Sequence, residues 1–186
     1  MRVCIKYDSD FICRAVLKEQ FEKLGIPFSI QSLGELEIDQ NLSDEQREAL
    51  ATALKKYGIE IIDDPKMALV QRIKYAIDDM LEDDMARIQK ISTYLADKLN
   101  YSYTYLSNLF SENTYTSIEN FIILRKVDHA KELITNTDLT LTEIAFRLNY
   151  SSVAHLSGQF KKTTGLTPTA FQKIIEKRKQ NSIHPA

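Results

Sequence analysis

Few side chains in this 186-residue chain have the neighbours that covalent chemistry needs. Cys4 and Cys13 form no CxxC pair, and their separation matches no common zinc-ligand spacing, so they read as buried or incidental thiols. His129, His155 and His184 have no cysteine or carboxylate at ligand spacing and read as surface or helix-packing residues. The sequence shows no Gly-rich phosphate loop and no nucleophile–base set. Neither an enzyme nor a protein with a metal or other cofactor is expected. What the chain does hold is the chemistry of reversible recognition: hydroxyls, amides and ammonium groups gathered around two copies of the tetrapeptide LNYS, at Leu99–Ser102 and Leu148–Ser151.

The elements that must position those groups follow from the flanks of the repeat. STYLADKLNYSYTYLSNLF (Ser92–Phe110) aligns with LTEIAFRLNYSSVAHLSGQF (Leu141–Phe160), with one extra residue in the second turn. Each copy has an apolar-Ala pair (Leu95-Ala96, Ile144-Ala145), an Asn four residues after the alanine (Asn100, Asn149) and a Ser two residues later (Ser102, Ser151). A small alanine lets two helices cross closely, Asn tolerates the left-handed turn, and Ser caps the helix that follows. An apolar anchor, a Ser and a Phe close each copy (Leu106, Ser107, Phe110; Leu156, Ser157, Phe160). The pattern predicts a helix-turn-helix, twice. Between the copies, Ser117 to Ile134 has neither glycine nor proline and keeps a helical apolar spacing, predicting one helix of about 17 residues and roughly 25 Å. Such a rod suits two reading helices in neighbouring major-groove segments, which lie about 34 Å apart on one face of a duplex.

The faces that the core leaves free supply the candidate contacts. With Leu106, Leu109 and Phe110 turned inward, Tyr103, Thr104, Ser107 and Asn108 are left for a groove; with Leu156 and Phe160 inward, Val153, Ala154, Ser157 and Gly158 are left. Asn108 is the best candidate for pairing with adenine, while the small and apolar residues suit thymine methyls. Lys161 and Lys162, with Ser102 and Ser151 at the starts of the reading helices, are candidates for phosphate contact. Charge agrees with this. Residues 1–64 hold 8 Lys+Arg and 13 Asp+Glu, whereas residues 85–186 hold 13 and 8, so an acidic first part precedes a basic second part suited to a polyanion. Between them lies the acidic stretch DDMLEDD (residues 78–84).

The first part also reads as two similar pieces. EKLGIPFSI (Glu22–Ile30) and KKYGIEIID (Lys55–Asp63) each pass from a helix through a glycine to a strand-like alternation. DSD precedes the first helix, and Ser43 with Gln46 makes a capping box for the second. With RVCIKY as an opening strand and FSIQSLGELEID as a hairpin, the order is β-α-β-β-α-β, predicting a small ferredoxin-like domain over residues 1–64. A paired-cysteine loop of the metal-carrier kind is missing, which leaves sensing or self-association.

Leu141–Lys173 resembles the C-terminal signature of the AraC/XylS family of bacterial transcription regulators. The resemblance rests on Ile144-Ala145, Tyr150, Phe160-Lys161, Gly165, Thr167-Pro168 and Phe171, and it extends upstream to KMALVQRIKYAIDDML as the family's first helix. It implies a sequence-specific regulator of transcription that binds double-stranded DNA, with base-facing positions at Val153, Ala154, Ser157 and Gly158. Two departures stand out: Asn100 and Asn149 replace a turn glycine, and Tyr115 stands where the first motif normally has glycine, which implies a locally altered loop. The N-terminal part is too short for the family's sugar-binding barrel. The expected organisation is therefore α+β, with a ferredoxin-like module (1–64), an all-α DNA-binding domain (65–178) and a flexible tail (179–186). Further expected partners are RNA polymerase and, through residues 1–64, a small-molecule effector or a second copy. No apolar run is long enough for a membrane span and none marks a signal peptide, so a cytoplasmic location is expected. The alternative is a protein-interaction adaptor on the same scaffold, since neither reading face carries arginine.

Overall fold

The computed structural model describes residues 3, 5, 7–32, 34–83 and 89–183, and the chain divides into two compact units, Met1–Tyr75 and Ala76–Ala186. The division falls inside the helix that begins at Pro65.

In the N-terminal unit, helix α1 (Ser9–Lys23) starts where Asp8 accepts hydrogen bonds from the backbone N–H of Asp10 and Phe11 at 3.0 and 3.1 Å. Strands β1 (Phe28–Ser32) and β2 (Glu35–Ile38) pair antiparallel, with Phe28 opposite Ile38 and Ile30 opposite Leu36. Helix α2 (Asp44–Lys55) opens on the expected capping box of Ser43 and Gln46. The core is Leu17, Phe21, Ile26, Leu50 and Leu54, and the half-buried thiol of Cys13 packs against it. Phe21 and Phe28 bring their ring centroids to 4.3 Å.

The expected β-α-β-β-α-β sheet is corrected here, because only the hairpin forms strands among the described residues. Of the anticipated first strand, Val3, Ile5 and Tyr7 are exposed and unpaired in any sheet, while Arg2, Cys4 and Lys6 lie outside the described residues. The anticipated last strand, Ile59–Asp63, is irregular. Its alternation has another origin. Both helices end on a left-handed glycine, Gly25 (φ 63°) and Gly58 (φ 73°), and the residue after each donates its N–H back across the turn, Ile26 to Phe21 at 3.0 Å and Ile59 to Leu54 at 3.2 Å. This closure turns the isoleucine side chain onto the core. Ile59 is thus part of a helix stop, and the next apolar residues, Ile61 and Ile62, are both exposed, so no sheet face develops. Asp63 pairs instead with Arg47 of α2.

The second unit is helical. Its elements are the later part of α3 (Pro65–Glu82), then α4 (Ile91–Leu99), α5 (Tyr103–Thr114), α6 (Ile118–Asn136), α7 (Leu141–Arg147), α8 (Val153–Thr164) and α9 (Pro168–Ile183). Helix α9 continues through the first residues of the expected tail, and residues 184–186 lie outside the described residues. Helix α6 has 19 residues, about 28 Å at 1.5 Å per residue, slightly longer than its sequence suggested. The acidic stretch at the end of α3 has a structural use. Asp79 accepts from Lys98 of α4 at 2.6 Å and Asp78 from Arg125 of α6 at 2.5 Å, so two adjacent carboxylates tie α3 to both halves of the first motif's frame. Burial weighs against the charge of Lys98, but its hydrogen bonds to Asp79 and Tyr94 outweigh that and hold its pKa above the usual lysine range.

Candidate nucleic-acid interface

The two motifs, α4-turn-α5 and α7-turn-α8, share more of their construction than the quoted repeat shows. Both turns pass through a left-handed asparagine, Asn100 at φ 58° and Asn149 at φ 54°. Helix α5 is capped by Ser102, whose Oγ accepts from the N–H of Tyr105 at 3.3 Å. Helix α8 is capped by Ser152, which accepts from His155 at 3.1 Å. Ser151, expected as that cap, is corrected to a turn residue: the extra residue of the second turn moves the capping position one step along the chain. Farther on, Thr114 and Thr164 each bridge the end of their helix, donating to Phe110 O at 2.7 Å and to Phe160 O at 2.8 Å. Ser117 and Thr167 cap α6 and α9 through the N–H groups of Asn120 and Ala170, both at 3.2 Å. The rings of Phe110 and Phe121 lie 5.5 Å apart, and those of Phe160 and Phe171 lie 5.6 Å apart.

Tyr115 does not alter its loop. It adopts φ 56° and donates its N–H to Ser111 O at 3.0 Å, as Gly165 does at φ 79° to Lys161 O at 2.9 Å. The threonine bridge, the following cap and the paired phenylalanines hold the backbone, and the side chain, 95% exposed, meets no obstacle. A left-handed conformation still costs a residue with a Cβ roughly 1–2 kcal/mol, partly offset by the greater freedom glycine loses on folding. Tyr115→Gly is therefore expected to raise stability by about 0.5–1 kcal/mol, read as a higher denaturant midpoint at unchanged slope. A lower midpoint would contradict this account of the loop.

Burial sorts the anticipated contact residues. On α5, Thr104 and Asn108 are exposed, whereas Tyr103 and Ser107 are half-buried. The Tyr103 hydroxyl donates to Glu119 Oε1 of α6 at 2.6 Å. Burial first, and then this bond, pushes the Tyr103 phenol up, while the same bond holds the Glu119 carboxyl below its usual range. Tyr103 is thus a strut between α5 and α6. On α8, Ala154 and Gly158 are exposed, Ser157 is half-buried, and Val153 packs against the second motif's core of Val127, Ile144, Leu156, Phe160 and their neighbours. Lys161 and Lys162 are exposed in the last turn, where cations also suit the helix dipole.

Sequence reasoning missed several members of these faces. Tyr105 is exposed beside Thr104 and stacks on Tyr101 with centroids 5.4 Å apart. His155 is exposed beside Ala154 and meets the Tyr150 ring at 5.2 Å. Glu112 continues the exposed face of α5 one turn beyond Asn108. The spacing of the exposed positions, 104, 105, 108 and 112, was legible as one helical stripe once the inward residues were fixed. Among the described residues no cluster of His, Cys, Asp and Glu is arranged to hold a metal ion, and no helix is long and apolar enough to cross a membrane.

Comparison with known proteins covers this same region. A family model described as a helix-turn-helix domain matches residues 95–174. An uncharacterized HTH-type transcriptional regulator of Staphylococcus aureus (strain MSSA476) is 30% identical over 93 residues, which are 48% of this chain and 12% of that protein. The Msm operon regulatory protein of Streptococcus mutans serotype c is 32% identical over 82 residues, 44% of this chain and 30% of that protein. The chain therefore spans well under half the length of these relatives. A solved structure of a DNA-binding transcriptional dual regulator from Escherichia coli K-12 superposes with a TM-score of 0.52 at 19% identity, covering 63% of this chain and 99% of that one, and shares the helical fold.

Proposed function

We propose that this chain, whose residues 95–174 match a helix-turn-helix domain, is a regulator of the AraC type that binds double-stranded DNA and regulates transcription, reading two adjacent major-groove segments with α5 and α8. The observation that carries this reading is the duplicated face: two helices of 12 residues, capped and anchored alike, each presenting one exposed stripe that its core does not use. The backbone N–H groups at each capped start are suited to a phosphate. Residues 1–64, which are acidic, serve self-association or bind a small effector, and RNA polymerase is a further partner in the case of activation.

Selection of bound duplexes from a random pool tests the reading. An enriched site with two half-elements about one helical turn apart is expected. An unenriched pool, with no retention on heparin or mixed DNA at low salt, would favour the adaptor, which the lack of arginine on α5 and α8 keeps in view. On an enriched site, Asn108→Ala is expected to cost about 1–3 kcal/mol of affinity while leaving binding to unrelated duplexes nearly unchanged, because an exposed amide pairs with an adenine edge through two hydrogen bonds. Equal losses on both kinds of duplex would place Asn108 on the phosphate backbone instead.

A further inference from the structure

The extra residue in the second turn divides two tasks between two serines. In the first motif Ser102 follows Tyr101 directly and caps α5. In the second, Ser152 caps α8, and Ser151 is left free of that duty, with its Oγ 3.1 Å from Nδ1 of His155. The same imidazole meets the Tyr150 ring nearly edge-on, at an interplanar angle of 84°, and the Lys126 ammonium lies 5.2 Å from the centroid of that ring. His155 itself is exposed at the third position of α8. At the matching position of α5 stands Tyr105, a ring with no nitrogen to orient.

Resting on the reading of α8 as a groove helix, the geometry points to His155 as a DNA-contacting residue that offers its Nε2–H to an acceptor on the duplex, with Ser151 as the positioning residue that fixes this tautomer. A neutral imidazole has one N–H and one bare nitrogen, and the bond made by one decides what the other presents. When the Ser151 hydroxyl donates to Nδ1, the proton resides on Nε2, the nitrogen farther from the turn. Ala154 and Gly158, the exposed residues beside His155 on this stripe, have no side-chain polar atom, so His155 supplies the hydrogen bond in the first half of this face, ahead of Lys161 and Lys162. The acceptor is a purine N7 on the groove edge or a phosphate oxygen, and one donor serves either.

The test uses the full chain, a duplex selected from a random pool and an unrelated duplex of equal length. His155→Ala is expected to weaken binding to the selected duplex by about three- to tenfold, the loss of one hydrogen bond. Ser151→Ala should reproduce part of that loss and Ser151→Thr should restore affinity. The imidazole nitrogen shifts of the free protein should report the Nε2–H form in the wild type and in Ser151→Thr, and a mixed population in Ser151→Ala. Ser152 still caps α8 in all three variants, so their melting temperatures should match the wild type. A 7-deazapurine that weakens the wild type but not His155→Ala identifies the groove edge as the acceptor; a methylphosphonate with the same behaviour identifies a phosphate. If the wild type binds the selected duplex and His155→Ala binds it equally well, or if neither DNA modification separates the two proteins, the assignment is overturned while the groove reading survives. If the wild type binds neither duplex, both fall.

Discussion

Phe160→Ala is expected to destabilise the C-terminal unit by about 3–5 kcal/mol, the range for removing a fully buried aromatic ring. The ring is 0% exposed and belongs to one cluster with Val127, Ala130 and Ile134 of α6, Ile144, Ala145 and Leu148 around α7, and Leu156 of α8. It also supports Phe171 of α9 at 5.6 Å. Truncation leaves a cavity shared by four helices, which cannot all move inward at once, so little of the cost is recovered by collapse. Against a total stability of roughly 5–15 kcal/mol, such a loss is a large fraction. Thermal or denaturant unfolding measures it, and amide exchange locates it: protection should fall over α7, α8, α9 and the later half of α6, and much less over α5. Phe110→Ala provides the matched experiment, since Phe110 is equally buried with Leu106, Leu109 and Ile118 and packs on Phe121. Its exchange losses should centre on α4, α5 and the start of α6. A loss below about 1 kcal/mol for Phe160→Ala would mean that the second motif is not packed as described.

The same repeat explains how much of the structure was legible beforehand. Asn100, Asn149, Ser102 and the inward leucines and phenylalanines report on local chemistry that a chain segment enforces by itself, and each took its expected conformation. The continuation of the repeat was legible too, in Thr114 and Thr164, Ser117 and Thr167, and Phe121 and Phe171, each pair set at the same separation. Other features were not. An alternation such as Ile59-Glu60-Ile61 suits a strand, but a strand also needs a hydrogen-bonding partner and a covered face, and a sequence pattern specifies neither. Here a helix stop took the first isoleucine and solvent took the second. The cap of α8 was displaced because Ser151 and Ser152 are chemically equal, so only the backbone turn decides between them. The strut from Tyr103 to Glu119 was not legible either, because Glu119 lies beyond the motif, on the next helix. Tyr115 shows the converse: a local rule against the left-handed region was overruled by the packing around it.

Replacing both Lys161 and Lys162 with alanine is expected to weaken binding to every duplex alike, by roughly thirtyfold near 0.15 M salt, and to flatten the dependence of log affinity on log salt by about 0.9 for each phosphate no longer neutralised. The physical reason is counterion release, which depends on phosphate charge and ignores base sequence. Both ammonium groups are exposed in the last turn of α8. The corresponding positions of α5 are Ser111, half-buried and donating to Ser107 O at 2.8 Å, and Glu112, exposed. The two motifs are therefore alike in backbone and opposite in charge at the same place. The second should hold the phosphate backbone, while the first, with Thr104 and Asn108 exposed, should contribute base discrimination at little electrostatic gain. Glu112→Lys separates this division of labour from a merely unequal fit. It replaces a repelled carboxylate with a cation on an exposed face, disturbs no buried neighbour, and should steepen the salt dependence by about 0.9 while raising affinity for unrelated duplexes. Discrimination between the selected and an unrelated duplex should then fall, since only the sequence-independent part of the binding has grown. If Glu112→Lys leaves the salt dependence unchanged while the double alanine variant flattens it, the C-terminal end of α5 does not approach the phosphates, and the charge difference between Glu112 and Lys162 does not set the division of labour.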